Sequence, residues 1–334
     1  MRIAIVRLTS LGDVVHTLPV AHALRRYRPG SYIIWIVEER EQALLVDNPA
    51  VDEVVVAATR RWRQELRTPA GAVKAIREFS ALRHRLRSLE LNVAIEVQGL
   101  LKSTIFTVLT GAPVRIGFGW RHARDPLSSI FMTHRVAPPP GAAHIVEKNL
   151  SLLGPLGITP DQIAFPLPAF RGAERKVDIL LQQYHVPGHD RLVVLIPATR
   201  RPSKQWPSPR YREVAERVAR GPGVRVLLLG GPGEEGLLRS IARDLDGRCI
   251  PLPTMPISEL VVLLRRAYLA VGNDTGPLHL AAALGVSTIG LYGPTSAARN
   301  GPYGPRVRAI ESATGRIEDI SVGEVLRAVT EWLD

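Results

Sequence analysis

Cysteine is nearly missing: Cys249 stands alone in 334 residues, which excludes an internal disulfide framework and makes the reducing cytoplasm the expected compartment. No apolar run approaches the roughly 18 residues a membrane-spanning helix needs. The opening MRIAIVRLTSLGD is interrupted by Arg7 and Asp13, so it does not read as a secretory signal. No GxGxxG follows the first strand-like run and no P-loop occurs, which argues against a dinucleotide dehydrogenase or an ordinary nucleotidase. Clustered His/Cys ligands are also missing, so no metal site is expected. Lysine is rare as well, only Lys74, Lys102, Lys148, Lys176 and Lys204 among 43 basic residues. A lysine kept in so arginine-biased a chain carries extra interest.

The net charge is +12, which suits anionic partners: nucleic acid, lipid surface or phosphorylated ligands. Arginine bias by itself is the plainer source of that charge. The length predicts two domains, and 46% hydrophobic residues are enough for two cores. Uniformly apolar strand-like runs alternate with helical patterns along the chain. RIAIVRL, SYIIWIVEE, VDEVVVA, LNVAIEV and VRIGFG come first; RLVVLI, VRVLLLGG, CIPLP, YLAVGND and STIGLYG follow. Runs of this kind are the mark of parallel sheets covered on both faces. The proline-rich GITPDQIAFPLPAFRG between the two sets reads as a linker. The expected fold is therefore α/β, two Rossmann-like doubly wound domains facing across a cleft. The boundaries are 1–160, a linker at 161–174, 175–318, and a terminal helix at 319–334.

Ligands of doubly wound folds sit at the carboxyl ends of strands, so the loops that follow strands hold the candidates. GNDTGPLHLAAALG places Asp274, Thr275 and Gly276 ahead of Pro277 at a helix start, with His279 one turn in. Free amides and a helix dipole there favour an anion, although a simple capped turn would look the same. PATRRPSKQWP carries Thr199 and Lys204, hydroxyl and point charge for a diphosphate or members of a solvated basic loop. Glu234 in LGGPGEEG suits the two hydroxyls of a ribose, or merely the start of a helix. Together these point to a nucleoside diphosphate bound by the second domain.

In the first half, TRRWRQELR offers Arg60, Arg61 and Arg63 around Trp62, EVQGLLKS offers Gln98 and Lys102, and GWRHARDPLSS offers Arg124. Such clusters fit single-stranded nucleic acid or an anionic sugar, or are solvated surface. Asp13, after the first strand and before a helix, caps the helix or takes the proton of an attacking hydroxyl in a sugar transfer.

SLGDVVHTLP, RRWR, QGLLKS, ARDPLSS, KQWP, GPGEE and DTGPLHLAAALG…YGPT run in this order from the first strand to the last sheet. In that set the chain resembles the heptosyltransferase I branch of glycosyltransferase family 9. The resemblance implies a two-Rossmann glycosyltransferase fold (the GT-B type) whose terminal helix returns to the first domain. It implies an inverting enzyme that moves L-glycero-D-manno-heptose from ADP-heptose to a Kdo residue of Kdo-lipid A in the lipopolysaccharide inner core. Asp13 matches the base. Thr199, Lys204, Glu234, Met255, Asp274, Thr275, Gly276 and His279 match donor contacts, Met255 lying beside the adenine. Arg60, Arg61 and Arg124 match positions that hold the anionic acceptor; Arg63, Gln98 and Lys102 join them as candidates. The expected protein is a monomer, peripheral on the inner face of the cytoplasmic membrane, with no cofactor and no nucleic-acid partner. The alternatives are a family 9 enzyme with another donor or acceptor, or a non-catalytic basic protein that binds nucleotides or nucleic acid.

Overall fold

Ile3, Ala4, Ile5 and Val6 are all buried, odd and even positions alike, so the first strand is covered on both faces, as its unbroken apolar run predicts. The same holds for Leu192 to Ile196 at the start of the second half. In the computed structural model, which describes residues 1–245 and 247–333, the chain divides into Met1–Pro168 and a second unit from Ala169 onward.

The first unit is built on β1 (Arg2–Val6), β2 (Tyr32–Val37), β3 (Glu53–Val56), β4 (Val93–Glu96), β5 (Val114–Phe118) and β6 (His134–Val136). All pairs are parallel, in the order β3-β2-β1-β4-β5-β6. The second is built on β7 (Arg191–Ile196), β8 (Val224–Leu228), β9 (Cys249–Pro251), β10 (Ala267–Asn273), β11 (Ser287–Tyr292) and β12 (Val307–Glu311). Its order is β12-β11-β10-β7-β8-β9, again parallel throughout. Each sheet is thus doubly wound and reverses direction once, between β1 and β4 in the first and between β7 and β10 in the second. Such a reversal opens a crevice at the carboxyl ends of the two strands beside it.

The break between units falls inside the expected linker. Its last residues are helical, however, because Arg171–Gln183 forms a helix that buries Ala173 and Val177. A further correction concerns the end of the chain. The helix Val322–Leu333 was expected to return to the first unit; instead it belongs to the second. Val325, Ala328 and Val329 enter the core formed by Val193, Leu195, Trp206, Tyr211 and Ile289, and the helix lies against Ser208–Ala219 and β11. Trp206 fixes the approach by donating its indole N–H to the Ile320 carbonyl at 2.9 Å. An amphipathic helix goes where its apolar stripe is covered, and the core of the second unit covers this one.

Candidate active site

Each sheet gathers polar side chains at its point of reversal. In the first unit this is where Asp13 lies. Ser10 is the N-cap of the short helix Leu11–Val15, and Asp13 is three residues in, reaching back to the cap. Its Oδ2 accepts from the Ser10 amide and the Ser10 hydroxyl, both at 2.9 Å, and Oδ1 forms an ion pair with the guanidinium of Arg7. Asp13 therefore serves the helix start, but its side chain is still 32% exposed, so a lone pair remains within reach of a ligand. Burial alone would raise its pKa. The Arg7 charge outweighs it together with the Ser10 bonds and the more distant Arg124, and holds the carboxyl below its ordinary range.

The neighbouring strand ends hold this arrangement. Arg7 is buried and donates to the Val97 carbonyl at 2.9 Å. Glu96, fully buried at the end of β4, accepts from the amides of Gln98 and Gly99 and from the Ser103 hydroxyl. Desolvation dominates there and pushes its carboxyl upward. Gly99 turns with φ of +66°, and a β-carbon on it would come within 3.0 Å of the Arg124 amide, so glycine lets Arg124 close on the strand end.

The expected acceptor residues divide. Arg60 and Lys102 converge on one buried carboxylate, Glu38, at 3.6 Å each. Glu38 also accepts from the Thr59 hydroxyl at 2.9 Å. Arg124 is exposed and its charge acts on Asp13. Arg63 is exposed. Two are engaged within the unit. Arg61 is drawn to Glu39, Glu65 and Glu78, at 3.0, 3.2 and 2.8 Å. Gln98 is buried and uses its side-chain carbonyl to accept the Leu8 amide at 3.1 Å, tying the end of β1 to that of β4. His16 is buried edge-on to His144, their ring centres 5.3 Å apart, in keeping with a structural part.

In the second unit the loop after β7 meets the loop after β10. Asn273, fully buried, makes the junction. It donates to the Pro197 carbonyl at 2.8 Å, while its own carbonyl accepts from the Trp206 amide and the Tyr211 hydroxyl. Gly272 lets the strands approach, for a β-carbon there would lie 2.7 Å from that of Ile196. The junction sets Lys204 against Asp274, with Nζ 2.5 Å from Oδ2. The Thr295 hydroxyl reaches the same oxygen at 3.1 Å, and His279 Nε2 lies 3.0 Å from Oδ1. Directly after Asp274 the helix Gly276–Ala283 begins, with Thr275 as its N-cap. The buried Thr275 hydroxyl has no hydrogen-bond partner among the described residues. A buried donor left open beside a helix N-terminus and a lysine is the chemistry of an anion site.

The remaining donor candidates lie on the same edge but outside this cluster. Thr199 is half-buried in the Lys204 loop and accepts the Arg201 amide at 3.4 Å. Glu234 follows β8 and turns its carboxylate onto the Gly231 amide at 2.5 Å. Met255 follows β9 and is half-buried. Arg7, Glu38, Glu96 and Thr295 were missed by sequence reasoning. The first three had a signal: an ionisable residue ending an apolar strand run must find a partner inside.

Burial would raise the pKa of Asp274, but His279 and Lys204 overcome it and depress the carboxyl far below the usual range. A depressed native pKa stabilises the fold above the unfolded pKa, about 3.9, and that stabilisation is lost as pH falls toward the native value. Asp274→Asn is therefore expected to cost about 1–3 kcal/mol. Urea unfolding should show that deficit undiminished from pH 8 to pH 5 and shrinking only below about pH 4. A deficit that faded between pH 7 and pH 5 would contradict the assignment.

Residues 79–328 match the model of glycosyltransferase family 9 (heptosyltransferase). The chain is 34% identical to lipopolysaccharide heptosyltransferase 1 of Pseudomonas aeruginosa over 91% of its own length and 82% of the relative's. Among solved structures, Escherichia coli heptosyltransferase WaaC with ADP superposes with a TM-score of 0.84 at 28% identity, covering 99% of this chain and 100% of that one. The same enzyme with ADP-2-deoxy-2-fluoro heptose gives 0.81 at 29% identity, covering 99% of both. These likenesses run through both doubly wound units: the chain belongs to glycosyltransferase family 9, the heptosyltransferases, and is a glycosyltransferase of the GT-B fold.

Proposed function

We propose that this chain transfers L-glycero-D-manno-heptose from ADP-heptose to a Kdo residue of Kdo-lipid A, with inversion at the anomeric carbon. Asp13 takes the proton of the acceptor hydroxyl as that oxygen bonds to the anomeric carbon. The bond from that carbon to the β-phosphate oxygen breaks, and ADP leaves with the electron pair. The observation that carries this reading is the pairing of two kinds of strand end in one chain. One presents an accessible, ionised carboxylate among arginines. The other presents a lysine, an open hydroxyl and a helix start.

A base must be ionised before it accepts a proton, and the Arg7 pair keeps Asp13 so at neutral pH. Lys204 and the amides at Gly276 meet the charge that gathers on the departing diphosphate. Asp274, with both oxygens already engaged, holds Lys204 in place and is left beside the sugar hydroxyls of the donor. Positive side chains and amides supply the charge stabilisation, and the proposed reaction uses no cofactor. Arg60, Lys102 and Arg124 hold the carboxylate and phosphates of the acceptor. ADP-heptose as donor is supported by the ADP and the ADP-fluoroheptose in the solved relative.

In this proposal the enzyme acts as a monomer at the inner face of the cytoplasmic membrane and binds no nucleic acid. Incubation with ADP-heptose and a Kdo-terminated acceptor should release ADP and add one heptose to the acceptor by mass. ADP release with another sugar nucleotide, or no product with any Kdo acceptor, would replace this reading by a different family 9 specificity.

A further inference from the structure

Helix Leu101–Leu109 follows β4 and carries Leu101, Ile105 and Val108 on one face, at the spacing of successive turns. That face does not enter the core, although Ser103, Thr104, Phe106 and Thr107 on the other side do. Against the helix packs the turn Pro126–Phe131, which turns Leu127, Ile130 and Phe131 outward and buries Ser128 and Ser129. The six apolar side chains are between 37% and 55% exposed, an inversion of the ordinary pattern in which serine faces water. Trp120, between β5 and this turn, is exposed as well.

The turn is held firmly in this attitude. Asp125 accepts the Leu101 amide at 3.0 Å, Arg115 donates to the Phe131 carbonyl at 2.8 Å, and Arg135 donates to the Ser129 carbonyl at 2.9 Å. From Val97 to Arg135 the chain has five cations (Lys102, Arg115, Arg121, Arg124 and Arg135) and one acid, Asp125. Asp125 is engaged with the Leu101 amide, and Arg121, Arg124 and Arg135 are exposed. An apolar face this size on a soluble unit marks an interaction surface, and its charge decides the partner. A second copy would bring the same arginines together across a two-fold axis. A bilayer containing anionic phospholipid answers both features, taking the apolar side chains at the acyl boundary and the arginines among phosphates.

We propose that this face, Leu101, Ile105, Val108, Leu127, Ile130 and Phe131 with its arginine rim, seats the enzyme on an anionic phospholipid bilayer. The proposal rests on the reading above that the acceptor is a membrane lipid. It adds where the membrane lies: beside Arg124, whose charge acts on Asp13, so that a head group in the bilayer surface is offered directly to the base. Trp120 takes the interfacial place that tryptophan prefers.

The test uses the full chain and vesicles of phosphatidylethanolamine with phosphatidylglycerol, against vesicles of phosphatidylcholine alone. Binding by co-sedimentation should favour the anionic vesicles and weaken with salt. Ile105→Ser/Phe131→Ser should bind them about tenfold or more weakly, with an unchanged melting temperature since both side chains are exposed. Its transfer to a water-soluble acceptor lacking acyl chains should match the parent enzyme, while transfer to acceptor embedded in vesicles falls. Equal vesicle binding by the double variant overturns the proposal, as does a dimer in sedimentation velocity that the double variant breaks. Failure of the functional reading is separate: no acceptor of either kind is then glycosylated, while the vesicle result stands by itself.

Discussion

Asp13→Asn is expected to lower heptosyl transfer by roughly a hundred- to ten-thousand-fold, the usual contribution of a positioned base, while ADP binds as before. The amide keeps the size of the side chain and still accepts the Ser10 amide, so the helix start survives. What it loses is the negative charge, and with it both the proton acceptor and the partner of Arg7. Arg7 is buried, but it retains the Val97 carbonyl, which limits the loss of stability. Calorimetry with ADP reads the second unit, and initial rates read the base, so the two effects are measured independently. The pH profile gives a further check. Asp13 is held below the ordinary carboxylate range, so the parent enzyme should keep its base ionised to below about pH 4, wherever the protein stays folded. A variant with near-parental turnover would remove Asp13 from the chemistry and leave it the Ser10 and Arg7 contacts alone.

The central strands were legible because each is a continuous apolar run, which only a sheet covered on both faces can bury. Two of the four edge strands, Glu53–Val56 and Cys249–Pro251, were read as well, but the other two were not. His134–Val136 is largely exposed, and Val307–Glu311 alternates with polar residues, so neither has the pattern of the strands between them. The polar cluster at the reversal of the second sheet was readable for a similar reason. Its residues follow strands directly, and glycine, proline and lysine there have few other uses in a chain so poor in lysine. The arginines of the first unit were harder, because surface arginine carries little information in this composition. Arg60, Arg61 and Arg63 are consecutive or nearly so, yet one is drawn to Glu38 and Glu41, one to Glu39, Glu65 and Glu78, and one is exposed. Helical geometry separates neighbours by about 100°, and which of them meets a carboxylate depends on strands and helices distant in sequence. The terminal helix was misplaced on similar grounds: its amphipathic pattern announces a buried face without saying whose.

Lys204→Ala should raise the dissociation constant of ADP about tenfold and lower turnover by roughly a hundred- to a thousand-fold, the order seen when one preorganised donor to a developing negative charge is removed. The larger effect falls on turnover because the diphosphate gains charge as the bond to heptose breaks, and Lys204 is fixed there before the reaction begins. Its ammonium is held by Asp274 at 2.5 Å and its side chain is 15% exposed, so little reorganisation is needed when the donor arrives. The fold should tolerate the change, since Asp274 keeps His279 and Thr295. Lys204→Arg separates charge from geometry. A guanidinium is planar and longer than an ammonium, and the Asn273 junction fixes the loop that carries it. Arginine is therefore expected to restore most of the ADP affinity and only part of the turnover. If alanine left both quantities at the parental value, the charge on the leaving diphosphate would have to be met elsewhere, and the cluster at the reversal of the second sheet would be scaffold.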